Sequence, residues 1–98
     1  MFEKTPGFCK AISIFGDGWV LYIVSELYEC DRRFSELSQR IPNISPAVLS
    51  NRLKRLEQEG VIERLEEKDK LPVIYSLTKR GRGMRPIFEE MFRFSKDL

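Results

Sequence analysis

The 98-residue sequence contains no histidine and only two cysteines, and these scarcities exclude whole classes of site. Without histidine the chain lacks the most frequent general base and metal ligand. Cys9 and Cys30 are too few for a disulfide framework and too widely separated for a zinc site. The sequence also lacks a glycine-rich phosphate loop and a nucleophile with a recognisable partner. We therefore expect no metal, no cofactor and no enzymatic activity.

Long apolar runs are missing as well. No stretch approaches the ~20 residues that cross a bilayer, and the N-terminus lacks the basic segment and apolar block of a signal peptide. The expectation is a cytoplasmic protein without a membrane partner. A composition of 42% hydrophobic and 33% charged residues suits one compact domain over residues 1–98.

The net charge is only +2, so its distribution is more informative than its sum. Residues 1–31 carry two Lys/Arg against five Asp/Glu, whereas residues 32–60 carry six against three. Residues 61–78 carry three against four, and residues 79–98 carry six against three. Basic charge is therefore concentrated in two parts of the chain, of which residues 32–60 are the candidate nucleic-acid-binding unit.

Residues 32–60 have the pattern of two helices joined by a tight turn. After a short extended step, a first helix is predicted over residues 35–40, and Pro42 ends it because the residue before a proline disfavours the helical region. Ser45 is a good N-cap, and Pro46 occupies the first helical position, where a missing N–H costs nothing. Gly60 is expected to end the second helix. This pattern predicts a helix-turn-helix.

The second helix has two chemically different faces. Leu49, Leu53 and Leu56 lie within ~40° of one direction at 100° per residue, which predicts a buried face. The opposite face carries short, polar or basic side chains: Ala47, Ser50, Asn51, Lys54, Arg55 and Gln58. Such a face suits the major groove of DNA.

Residues 1–31 predict two helices, with residues 16–18 as the turn and Trp19 as a core aromatic. Residues 61–78 predict a β-hairpin, a candidate wing, in which strands over residues 61–66 and 73–77 flank a charged loop. Residues 79–98 predict a final helix capped by Thr78 and bent at Pro86. The expected fold is α+β, a mostly helical winged helix-turn-helix.

Ten residues are predicted to contact DNA. Ser45, Pro46, Ala47, Ser50 and Asn51 are expected near base edges, because asparagine can bond adenine and a small side chain can rest on a thymine methyl. The phosphate contacts are expected from Arg33, Lys54 and Arg55, with Lys68 and Lys70 at the tip of the wing. The alternative is a solvated helix in a winged-helix module that binds proteins and does not contact nucleic acid.

The final helix carries more large apolar side chains than one face of a small domain can bury. Because most soluble oligomers are symmetric dimers, and two half-sites strengthen DNA binding, we expect a homodimer through the terminal helices. The predicted interface consists of Phe8, Ile87, Phe88, Met91, Phe92 and Phe94. Burial of these side chains in the chain's own core remains the alternative.

The motifs resemble those of the HxlR-type family of winged-helix transcription regulators. The resemblance extends from Cys9 to about Phe94, and its motifs include residues 33–37 (RFSEL), 41–45 (IPNIS) and 75–78 (YSLT). It implies a homodimer formed by terminal helices, a recognition helix over residues 46–59 and a wing around residues 68–72. The chain departs from the family in having Gly18, where a lysine commonly precedes the tryptophan.

The resemblance also bears on Cys9, which lies near two lysines at the start of the chain. In some family members the matching cysteine senses electrophiles or oxidants, so Cys9 is a candidate redox sensor and an oxidant or small molecule a candidate effector. A buried structural cysteine is the alternative, and a thiol redox enzyme is the least favoured reading of the chain. The favoured reading is a homodimeric regulator that binds specific double-stranded DNA.

Overall fold

Helices and one small sheet alternate along the chain. The computed structural model describes residues 1–67 and 70–98, with only the backbone described at residues 67 and 70–72. The elements are α1 (Pro6–Phe15), α2 (Gly18–Glu29), β1 (Arg32–Arg33), α3 (Phe34–Arg40), α4 (Pro46–Gln58), β2 (Ile62–Glu67), β3 (Lys70–Leu77), α5 (Lys79–Arg82) and α6 (Arg85–Ser95). The predicted α+β winged helix-turn-helix is confirmed.

The first two helices meet at a sharp corner. The Asp17 side chain caps α2 by accepting a hydrogen bond from the Trp19 backbone N–H at 2.8 Å. Trp19 is half-buried against the core, as predicted. No single helix among residues 1–67 and 70–98 has the length and apolar character to cross a membrane. α1 and α2 meet both criteria only when they are taken together, and this pair is bent by 83°.

The helix-turn-helix consists of α3 and α4. Leu37 of α3 and Ile41 after it are buried, and Asn43 adopts a positive φ of 63° in the turn, a conformation that asparagine tolerates better than most residues. The Ser45 hydroxyl oxygen accepts the Val48 N–H at 3.1 Å, and Pro46 begins α4. Gly60, with φ 72°, turns the chain towards β2. The predicted start and end of this helix are confirmed.

The three strands form an antiparallel sheet in the order β1, β3, β2. β1 pairs Arg32 with Tyr75 and Arg33 with Ile74, which attaches the hairpin to the start of α3. The loop expected over residues 67–72 is wrong at residues 67 and 70–72, because β2 extends to Glu67 and β3 begins at Lys70, and its residues 68–69 lie outside the described residues. The register shifts between the Leu65–Ile74 and Glu67–Lys70 pairs, and Pro72, which has no N–H to donate, lies within this irregular stretch.

The C-terminal segment forms two helices where one bent helix was predicted. Thr78 caps α5 as expected, by accepting the Gly81 N–H at 3.2 Å. The break falls at residues 83–84, and Pro86 lies in the first turn of α6, where its missing N–H costs no helical hydrogen bond. Pro86 therefore helps to start a helix and does not bend one.

Among the residues whose side chains are described, fourteen buried apolar residues form one core cluster. It draws side chains from the first four helices and from β2 and β3, and Val61 and Leu77 close it beneath the hairpin. α4 is thereby fixed against α2 and the sheet, and its position sets the candidate site.

Candidate nucleic-acid interface

α4 presents two faces to two environments. Leu49, Leu53 and Leu56 are 0–1% exposed, so the leucine face lies wholly within the core. The other face is exposed along its length, at Pro46, Ala47, Ser50, Asn51, Lys54 and Gln58. Burying three leucines stabilises the helix position by several kcal/mol, at roughly 1.5–3 kcal/mol for each side chain. The exposed face is therefore held rigidly at the surface.

The N-terminal end of α4 is exposed. Ser45, Pro46 and Ala47 are all exposed, and the Ser45 hydroxyl, while accepting the Val48 N–H, retains its own proton for donation. The first backbone N–H groups of a helix are unpaired within it and carry partial positive charge, which favours an anion nearby. This end of α4 could thus receive a phosphate together with a base edge.

Most of the basic side chains in residues 32–60 are occupied within the chain. Arg32, Arg40, Arg52 and Arg55 form ion pairs, respectively with Glu29 at 2.8 Å, Glu26 at 2.5 Å, Asp17 at 2.7 Å and Glu59 at 3.6 Å. The hydrogen bond and charge of Glu26 raise the pKa of Arg40. Arg33 and Lys54 are exposed and form no ion pair within the described part of the chain.

Arg55 differs from the exposed cation predicted for a phosphate contact. It is half-buried, and its guanidinium also donates to the Ser13 hydroxyl at 3.2 Å. Arg52, which the sequence did not single out, donates to Asp17 and to the Asn51 side-chain oxygen. No local signal indicates the contacts with Asp17 and Ser13, because these partners lie 35 and 42 residues away from Arg52 and Arg55 along the chain.

The hairpin carries charges of both signs. Glu63, Arg64 and Glu66 of β2 are exposed, and Arg64 lies 3.6 Å from the Glu66 carboxylate. Lys68 lies outside the described residues, and of Lys70 only the backbone is described. The two contacts predicted for the tip of the wing therefore stay predictions.

α6 leaves its apolar side chains exposed. None of its eleven residues, all of which are described, is buried, and Ile87, Met91, Phe92 and Phe94 are 50%, 45%, 69% and 61% exposed. Phe88 is the exception, since it packs on the core with its ring centroid 5.5 Å from that of Tyr28. An apolar groove of about 300 Å³ runs between α2 and α6, beside Tyr22 and Met91.

Phe8, the other residue predicted for an interface, is half-buried on α1 with its ring 5.9 Å from that of Phe2. The neighbouring Cys9 is exposed, and so is Cys30, so the alternative of a buried Cys9 is wrong. Within residues 1–67 and 70–98, no group of three or more histidine, cysteine or acidic side chains is placed to hold a metal ion.

Comparison with known proteins gives a consistent result. The HTH-type transcriptional regulator YvaP of Bacillus subtilis (strain 168) is 40% identical over 97% of this chain and 89% of its own length. The reduced form of the B. subtilis regulator YodB superposes with a TM-score of 0.83 at 35% identity, covering 98% of this chain and 95% of that one.

The quinone-bound form of YodB superposes with a TM-score of 0.81 at 34% identity, covering 96% of this chain and 99% of that one. A sequence profile described as HxlR-like helix-turn-helix matches residues 14–98. The family predicted from the motifs is confirmed, and the chain belongs to the HxlR-like helix-turn-helix family.

Proposed function

We propose that this protein is a transcriptional regulator that binds specific double-stranded DNA as a homodimer, with α4 in the major groove. The observation that carries the proposal is the exposed polar face of α4, mounted on three buried leucines. A binding role without an enzymatic reaction is consistent with its relatives, which are named transcriptional regulators.

The N-terminal half of α4 would read the bases. Ala47 is small enough to contact a thymine methyl, and Ser50 can donate or accept a hydrogen bond. Asn51 offers an amide that matches the acceptor and donor edge of adenine. Ser45 and Pro46 would lie at the point of entry, where the helix dipole favours the backbone of the duplex.

Lys54 and Arg33 are the cations best placed for phosphate contacts, because both are exposed and neither forms an ion pair within the described residues. Arg55 could reach a phosphate only by leaving Ser13 or Glu59. We retain Lys68 and Lys70 as proposed contacts of the wing, since the tip of a hairpin paired to β1 would lie beside the groove.

The homodimer would form through α6, together with Phe8 of α1. Side chains such as Phe92 and Phe94 are costly to leave in water, and a second copy would cover them with the same apolar surface. Two copies of α4 could then enter successive major grooves, about one helical turn or ~34 Å apart.

Binding is tested by selecting duplexes from a random library with the full chain and titrating the selected duplex. DNA binding predicts an affinity that falls steeply between about 50 and 200 mM salt, because phosphate contacts release counterions. Lys79→Ala provides a matched control for Lys54→Ala, because Lys79 is also an exposed lysine. It lies on α5, which follows the end of β3 farthest from the hairpin tip. A chain that retained no duplex DNA at low salt would instead be a protein-interaction module.

A second function, response to electrophiles or oxidants, is favoured by the exposed thiol of Cys9 on α1. The similar regulator YodB has been crystallised in reduced, quinone-bound and diamide-treated forms. We propose that the Cys9 thiolate adds to a ring carbon of a quinone, forming a C–S bond as the ring C=C π bond breaks and its electron pair moves to the carbonyl oxygen, which takes a proton from solvent. DNA affinity would change as a result.

This response is tested by measuring DNA affinity before and after exposure to benzoquinone. Cys9→Ser should abolish the change, and Cys30→Ser is the matched control because Cys30 is also exposed. Equal sensitivity of the wild-type chain and the Cys9→Ser variant would refute a role for Cys9 without affecting the proposal of DNA binding.

A further inference from the structure

Three polar contacts, which we call the ladder, join α1 and the α1–α2 corner to α4 and its C-cap. Successive contacts are three or four residues apart in each of the two segments, and the residue numbers rise in one segment as they fall in the other. The contacts are Lys10 to Glu59 at 3.2 Å, Ser13 to Arg55 at 3.2 Å and Asp17 to Arg52 at 2.7 Å. On the α4 side this spacing is about one helical turn from each partner to the next, whereas on the other side Lys10 and Ser13 lie on α1 and Asp17 lies beyond its end, at the N-cap of α2. The ladder leads towards the N-terminal half of α4, where the proposed base contacts lie.

The contact at Asp17 is the shortest of the three, and both of its carboxylate oxygens accept hydrogen bonds. Oδ1 accepts the Trp19 N–H at 2.8 Å and caps α2, while Oδ2 accepts the Arg52 Nε–H at 2.7 Å. Partial burial alone would raise the pKa of Asp17, but the hydrogen bond from Arg52 and that from Trp19 outweigh it, so the pKa lies below 3.8. Asp17 is thus a fixed anion at physiological pH, and it anchors Arg52.

Arg52 extends this anchor to the exposed face. Its Nη1 donates to the Asn51 Oδ1 at 3.0 Å. A guanidinium has only donors, so it must face the amide oxygen of Asn51 and never the amide nitrogen. The NH2 group of Asn51 therefore points away from Arg52, and the oxygen keeps one lone pair for a further hydrogen bond.

We infer that Arg52 and Asp17 are positioning residues that hold the Asn51 amide in one orientation for reading a base. The inference rests on the proposed DNA binding and deepens it. With its amide fixed, Asn51 presents two donors and one remaining acceptor site, which suits adenine through N7 and N6. Cytosine offers only a donor at this edge, so the outward NH2 group disfavours it.

The pair need not be essential for folding. Asp17 and Arg52 side chains are each 30% exposed, and ion pairs that reach solvent contribute little to stability. Variants of either residue should therefore fold, and circular dichroism would verify this. Arg52→Lys keeps the charge but cannot engage Asp17 and Asn51 with a planar fork. Asp17→Asn keeps a good N-cap for α2 and removes the charge that holds Arg52.

The experiment compares base preferences of the full chain and its variants after selection from random duplexes. Asn51→Ala should reduce the preference at one base position by about tenfold, the value of one good base contact. Arg52→Lys should reduce the preference at the same position by about threefold, as expected for loss of one hydrogen bond, and Asp17→Asn should act in the same direction. Arg55→Lys is the matched control, because Arg55 belongs to the ladder but does not contact Asn51.

Two outcomes would overturn the inference while leaving DNA binding intact. One is an unchanged base preference in Arg52→Lys. The other is an effect of Arg52→Lys on base preference that is as large in the Asn51→Ala background as in the wild-type chain. If the wild-type chain selected no duplex, the proposed function would fail and the inference with it.

A readout without DNA separates these cases further. The NMR signal of the Asn51 side-chain NH2 should shift in Arg52→Lys and stay unchanged in Arg55→Lys. Equal shifts in both variants would contradict a specific hold of Arg52 on Asn51.

Discussion

α4 and α6 are both amphipathic helices, but they are attached to the protein in opposite ways. α4 turns its apolar side chains inward and is held on a second side by the ladder to the α1–α2 corner. α6 has no buried residue and turns Phe92 and Phe94 to solvent. A helix whose apolar face is buried in the core of its own chain leaves a polar face for a polar ligand. A helix whose apolar face is exposed favours contact with another apolar surface. This contrast supports the proposals that α4 binds DNA and that α6 mediates self-association.

The largest effect should follow from weakening the apolar attachment of α4. Leu53→Ala should lower the free energy of unfolding by about 2–5 kcal/mol, because it removes a fully buried side chain and leaves a cavity. Urea denaturation at two protein concentrations measures it. Met91→Ala is the control on α6, and its effect should be small at low concentration and grow as dimers form. If Leu53→Ala and Met91→Ala lowered the free energy of unfolding by similar amounts at both concentrations, the contrast between α4 and α6 would be refuted.

A charge on the uncovered face of α6 should disrupt self-association. Phe92→Glu is expected to weaken the dimer by about 30-fold or more, the effect of losing one aromatic hot spot, with little change in secondary structure. Sedimentation equilibrium gives the dissociation constant. Arg93→Ala provides the control, because Arg93 on the same helix pairs with Glu90 in solvent. A wild-type chain that stayed monomeric at micromolar concentrations would remove the proposed role of α6.

The polar face of α4 should respond differently to loss of Asn51 and loss of Lys54. Asn51→Ala is expected to cost about 1–3 kcal/mol of base discrimination at one position. Lys54→Ala should weaken binding to all duplexes alike and flatten the dependence of log affinity on log salt by about one unit. Fluorescence anisotropy over a series of salt concentrations separates the two results. The assignment of Asn51 to bases and Lys54 to phosphate would be reversed if the two variants exchanged these effects.

The smallest expected effect concerns the polar attachment of α4 through Asp17. A carboxyl whose pKa is lowered by folding stabilises the folded state above its unfolded value near 3.8, and this contribution is lost as the pH falls through the folded value. Asp17→Asn should therefore lower stability by up to about 1 kcal/mol at about pH 6, and the difference should be smaller at about pH 2.5, where the carboxyl takes up its proton. Paired urea titrations at the two pH values test this, and a difference that grew with acid would contradict it.

The features predictable from the sequence were those set by local chemistry. Ser45 and Pro46 fix the start of α4 within two residues, and the spacing of Leu49, Leu53 and Leu56 fixes its buried face. The early start of β3 was missed because a proline usually opposes a strand, and Pro72 lies where the register between β2 and β3 shifts. The division between α5 and α6 was missed because a proline within a helical pattern can either bend a helix or begin one.

The charge pattern was the least reliable guide to the candidate site. The excess of basic residues made residues 32–60 the candidate nucleic-acid-binding unit, but four of its six cations are arginines in ion pairs with acids of α2, of the α1–α2 corner and of the C-cap of α4. Those pairs depend on which residues the fold brings together, and a sum over the sequence contains no such information. Lys54 and Arg33 could be proposed as exposed cations from the sequence, whereas the role of Arg52 required the fold.

The two-residue strand β1 has a further consequence for the diversity of such proteins. Because β1 fastens the stem of the hairpin at Tyr75 and Ile74, the helix-turn-helix and the base of the sheet form one continuous unit. Residues inserted or deleted beyond the Leu65–Ile74 pair would change how far the tip projects without moving α3 or α4. The length of the hairpin can therefore vary over evolutionary time independently of the bases that the second helix selects.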